Sequence, residues 1–109
     1  MGKFVCIIAS SFEHAVDFIK WLEGNVKVDR AASRVLANST QYIVIDIRIF
    51  HDPNKLLGFN PVECYILDEQ SLFYEDIYHD TMSVINERRK HMCIHACNFY
   101  KKFDGYFWR

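Results

Sequence analysis

Two adjacent carboxylates, Asp68 and Glu69, follow a short unbroken apolar run, Cys64-Tyr65-Ile66-Leu67. Such a run reads as a strand buried on both faces of a parallel sheet, entered through the turn formers Gly58, Asn60 and Pro61. The pair falls at the carboxyl end of that strand, the edge where open α/β sheets hold their ligands and their chemistry. Asp46 lies in a second strand-like run, Tyr42 to Phe50. If the two strands are neighbours, Asp46 joins Asp68 and Glu69 in an acidic cluster suited to binding Mg²⁺ for phosphodiester hydrolysis. The structural alternative is an Asp46 that faces water and a Glu69 that caps the following helix.

Three other groups of residues carry potential chemistry. His91, Cys93, His95 and Cys97 alternate in a way that suggests zinc. On a helix, however, the histidines and cysteines lie roughly 200° apart, and on a strand they extend too far for one tetrahedral ion. Arg88-Arg89-Lys90 and Lys101-Lys102 form the main basic concentration, with Phe99, Tyr100 and Tyr106 nearby. That composition suits phosphate contacts and base stacking, and equally a solvated face. Cys64 reads as a core thiol, and no Ser/His/Asp set has a local signature.

The apolar strand ending in Asp-Glu after a Gly-containing turn resembles the Walker B strand of the helicase and terminase-type P-loop NTPases. That resemblance implies Mg²⁺ coordination for Asp68 and activation of an attacking water for Glu69. The preceding strand and helix resemble the βα unit that follows the phosphate loop in that family, so the likeness spans about residues 3 to 80. The phosphate loop itself is missing. Ala9-Ser10-Ser11-Phe12-Glu13-His14, at the strand-to-helix turn, has no glycine and no Lys-Ser/Thr, so nothing there wraps or neutralises a triphosphate.

The elements that must position these residues follow from periodicity. Lys3 to Ala9 is a buried strand. Ser10 and Glu13 have capping-box spacing, and Phe12, Ala15, Val16, Ile19 and Leu22 form one helical face that Gly24 terminates. Phe18 and Trp21 lie off that face, as a second buried side or an exposed aromatic patch. Between Asn25 and Thr40 a short helix competes with a hairpin, Arg34 to Ala37 and Gln41 to Ile45 about the polar turn Asn38-Ser39-Thr40; the hairpin is the better fit. His51-Asp52-Pro53-Asn54 is a turn. From Ser71 the spacing predicts helix: Leu72, Ile77, Met82 and Ile85, then Met92, Ala96, Phe99 and Phe103, as one helix or two. The aromatic tail Tyr106-Phe107-Trp108 must fold back or meet a partner.

Half of the 109 residues are hydrophobic, enough for one core and one domain spanning residues 1–109. A net charge of −1 gives no global attraction to nucleic acid or membrane. Four cysteines without a signal peptide point to a reducing cytoplasm, the host's if the protein is viral. The expected fold is α/β: a short, mainly parallel sheet flanked by helices, with an α-helical C-terminal part. The resemblance implies a reduced ATPase-like core of the kind carried by bacteriophages. With no phosphate loop, the expected function is a non-hydrolysing module that docks onto another protein of phage or host nucleic-acid machinery. The alternatives are a small metal-dependent nuclease or nucleotide-acting enzyme, and a nucleic-acid-binding accessory protein.

Overall fold

The computed structural model describes residues 3–47, 61–87, 92–102 and 105–108. The chain runs β1 (Lys3–Ala9), α1 (Phe12–Glu23), β2 (Lys27–Asp29), β3 (Arg34–Ala37), β4 (Thr40–Asp46), β5 (Glu63–Leu67), α2 (Glu69–Leu72), α3 (Asp76–Glu87), β6 (Cys93–Cys97), β7 (Phe99–Lys102) and β8 (Gly105–Trp108). Six strands form one sheet in the order β2-β3-β4-β1-β5-β6, and β7 pairs with β8 alone.

The sheet is mixed, which corrects the mainly parallel expectation. β1 is parallel to β4 and β5, and β5 to β6, but β2, β3 and β4 are antiparallel neighbours. The antiparallel end arises because the Asn38-Ser39 turn is tight, with Asn38 at φ 52°. A turn of that length can only reverse the chain. The helical C-terminal part is also corrected, since Cys93–Cys97, Phe99–Lys102 and Gly105–Trp108 are strands. Met92 and Ala96 are four apart, a spacing that fits both the helical and the strand period. The hairpin instead pairs Phe99 with Trp108, Tyr100 with Phe107 and Lys102 with Gly105, and its two strands are rich in β-forming aromatics.

Alternation along β1 divides the core. Val5, Ile7 and Ala9 pack with Ala15, Val16, Phe18 and Ile19 of α1 on one face. Cys6 and Ile8 pack with Leu72, Tyr78 and Ile85 on the other, where α3 lies. The crossovers that carry α1 and α3 leave the centre in opposite directions, β1 to β4 and β5 to β6. Right-handed connections therefore place their helices on opposite faces. Phe18 is fully buried and Trp21 is 49% exposed, so the two off-face aromatics of α1 divide between core and surface.

Ser11, rather than Ser10, caps α1: its hydroxyl accepts from the His14 amide at 3.1 Å. Gly24 ends the helix at φ 85°, donating its N–H to the Lys20 carbonyl at 2.8 Å. No helix among the described residues is long and apolar enough to cross a membrane.

Candidate functional site

The strand order reverses direction at β1, with β4 on one side and β5 on the other. In open sheets the crevice at such a reversal, beyond the strands' carboxyl ends, is where ligands bind. Here that edge carries Ser10, Ser11 and His14 after β1, Asp46 at the end of β4, and Asp68 and Glu69 after β5.

Asp68 sits just past the last residue of β5, in a left-handed conformation at φ 51° and ψ 56°. A residue there turns the chain sharply from strand to helix, and Asp tolerates it better than most. The turn is fixed by backbone: the Asp68 N–H donates to the Cys97 carbonyl at 2.8 Å, and the Asp68 carbonyl accepts from the Ser71 amide and hydroxyl, each at 2.8 Å. Its carboxylate then reaches two further elements. Oδ1 accepts from the Phe99 amide at 2.8 Å, and Oδ2 bonds His14 Nε2 at 2.7 Å. One side chain thus joins β5, the start of β7 and α1.

His14 is held from both ends, by Ser11 at its amide and by Asp68 at its ring. Its ring also lies 5.6 Å from that of Phe99, which is fully buried against Phe18 at 5.2 Å. The Cys97 thiol beside this junction is pushed up to about 12, by burial and then by the Asp68 charge. That thiol donates to the Ile66 carbonyl at 3.8 Å, so it stays protonated and is a poor nucleophile.

Asp46 is 8% exposed, and its Oδ2 accepts from the Phe12 amide, the first of α1, at 3.2 Å. A helix N-terminus at this edge is the position at which α/β folds commonly hold phosphate. The chain supplies its own anion there. Glu69 accepts from the Tyr78 hydroxyl at 2.6 Å. Burial, then that bond to Glu69, holds the Tyr78 phenol well above its ordinary range.

The three predicted acidic residues are therefore not one cluster. β4 and β5 are not neighbours, because β1 lies between them; two strand spacings put them roughly 9–10 Å apart. Asp46 and Asp68 each bond the first turn of α1, at the Phe12 amide and the His14 ring, while Glu69 bonds Tyr78 of α3, and among the described residues no group of three or more His, Cys, Asp or Glu side chains is arranged for a metal. Cys93, His95 and Cys97 lie along β6 as alternate residues of an extended strand, and all four cysteines are free thiols. His91 lies outside the described residues.

Of the basic residues singled out for nucleic acid, Arg88, Arg89 and Lys90 lie outside the described residues. Lys101 and Lys102 fall on β7, not on a helix. The turns at 51–54 and 58–60 are likewise outside. Sequence reasoning missed His14, Phe99 and Tyr78 as partners of the carboxylates. Only His14 left a signal, three residues after its cap on the first turn of a helix leaving the central strand.

In comparisons with known proteins, no family model, no curated protein and no solved structure matches the chain.

Proposed function

We propose that this protein is a non-hydrolysing binding module that acts by docking onto another protein. The observation that supports this reading is the engagement of every acidic group identified at the sheet's carboxyl edge within the chain. Asp46 occupies the first amide of α1, Asp68 bonds His14 and Phe99, and Glu69 bonds Tyr78. These bonds fix each carboxylate toward a different partner, and the turn from Ala9 to His14 carries no lysine to neutralise a triphosphate. The residues that the Walker B likeness marks for catalysis thus act as braces.

A docking role also accords with the surface. Tyr74 is 92% exposed and Phe73 47%, adjacent in the turn between α2 and α3. Exposed aromatics are the side chains most often found at the energetic centres of interfaces. The free thiols fit action in the cytoplasm, with nucleic-acid machinery of a phage or its host as the partner class.

Two measurements test the proposal. Titration with ATP and Mg²⁺ should leave the melting temperature unchanged, whereas a nucleotide site raises it by mass action. Phosphate release above background that disappears in Asp68→Asn would reject the reading. Affinity capture should retain a protein partner that Tyr74→Ser loses while its melting temperature stays at the wild-type value.

A further inference from the structure

β2, the outermost strand at the antiparallel end of the sheet, pairs on one side with β3 and has no strand on the other among the described residues. Lys27 and Asp29 are exposed, while Val28 between them is half-buried and packs against the α1-side core. A groove of about 730 Å³ runs beside this edge, with Val16 of α1, Val28 and Val35 among the residues that line it. α1 therefore leaves the core side of Val28 open.

Short edge strands bearing charge ordinarily repel added strands, because an incoming strand meets charges it cannot match. The Lys27-Val28-Asp29 edge is complementary to itself. When a second copy runs antiparallel with Val28 opposite Val28, each Lys27 stands opposite the other copy's Asp29. Opposite charges at facing positions stabilise such pairs, and like charges destabilise them. The arrangement is two-fold, so both ion pairs form at once and the interface closes as a dimer. Arg30 is already engaged, with Glu13 across the groove and over the Phe12 ring at 5.2 Å. Asp29 Oδ1 accepts from the Ala32 amide at 3.2 Å, and Asp29 faces Arg34 across the β2–β3 pair, so a partner lysine would approach it from the outer side of β2.

We infer that β2 is a self-association edge, across which a second copy of this chain pairs antiparallel through Lys27, Val28 and Asp29. The valines on the two strands would meet on the α1 side, extending the apolar surface of each groove. The same charges that reject unmatched strands select the second copy, which is specificity by both attraction and repulsion.

Sedimentation velocity over rising concentration, with Lys27→Asp and Asp29→Lys, tests this. Wild type should pass from monomer to dimer. Each variant alone faces like charge with like and should associate roughly tenfold more weakly or less. An equimolar mixture of the two restores both ion pairs and should form the heterodimer. A wild type that stays monomeric up to about 1 mM, the weak end of the affinity scale, would overturn the inference. So would single variants that dimerise like wild type, or a mixture that does not.

Asp29→Lys loses the Ala32 bond and can disturb the hairpin, so a second readout needs no substitution. Amide exchange at Lys27 to Asp29 of the wild-type protein should slow as concentration rises. Protection independent of concentration, or acquired only when a different protein is added, contradicts self-pairing. This result is independent of nucleotide binding or of Tyr74.

Discussion

Replacing Asp68 by alanine removes the acceptor of the Phe99 amide at 2.8 Å and the partner of His14 Nε2 at 2.7 Å. Hydrogen bonds to a charged group contribute about 1.5–3 kcal/mol each. The Asp68 side chain remains 25% exposed, so water replaces part of each bond and the lower value applies, giving about 3 kcal/mol for the two. Alanine must also hold the left-handed backbone at φ 51°, which costs about 1 kcal/mol more. The expected loss for Asp68→Ala is therefore about 4 kcal/mol, a large share of the stability of a small domain. Asparagine tolerates the same backbone and keeps an oxygen for the Phe99 amide, so Asp68→Asn should lose only about 1–2 kcal/mol. Denaturant unfolding at unchanged m-value measures both. A cycle with His14→Ala should give a coupling energy of at least about 0.5 kcal/mol. Asp68→Ala within about 0.5 kcal/mol of wild type would refute the brace, because a surface carboxylate behaves that way.

Asp46→Ala should cost about 1–2 kcal/mol by uncovering the first amide of α1, seen as a lower denaturant midpoint. Gly24→Ala should lose about 1–3 kcal/mol from backbone alone, since Gly24 sits at φ 85° and ψ −100° and an added methyl meets nothing within 4 Å; circular-dichroism melting reports it. Stability should fall in alkali. The folded Cys97 thiol is raised from 9.0 to about 12, so above pH 9 the unfolded chain releases its proton first. That group's contribution is complete below pH 9 and is lost up to pH 12, at a limiting slope of about 1.4 kcal/mol per pH unit. Burial raises Tyr42, Tyr65 and Tyr78 as well, and these steepen the decline above pH 10. Cys97→Ser should flatten the slope between pH 9 and 12 in pH-dependent unfolding, and an unchanged slope would contradict the assignment.

Much of the central sheet was legible because its signals are local. Lys3 to Ala9 and Cys64 to Leu67 are unbroken apolar runs, and each lies in a strand of the centre. The Arg34 to Ala37 hairpin was marked by its polar turn, and the helix after β1 by its cap and Gly24. The orientation of the outer strands was not legible, since a mixed sheet depends on which hairpin the chain adds outside β4. The C-terminal strands were hidden by a four-residue spacing shared by two periods. At the site, Asp46, Asp68 and Glu69 were found as residues but not as partners. The bond from Asp68 to Phe99 joins residues 31 apart in sequence, and only the placement of β6 beside β5 brings them together. That Asp46 and Asp68 stand on opposite sides of β1 is likewise a property of strand order, to which sequence period is blind.

The claim that the edge carboxylates are committed within the chain is tested most directly by nuclear magnetic resonance on the amides they hold. The Phe12 and Phe99 N–H groups report on Asp46 and Asp68 respectively. Titration with Mn²⁺, and separately with ATP and Mg²⁺, should leave both resonances in place and no broader than amides elsewhere in the sheet. Selective broadening of both by low Mn²⁺, or a saturable shift of the Phe12 amide with nucleotide, would mean that these carboxylates open to take a ligand.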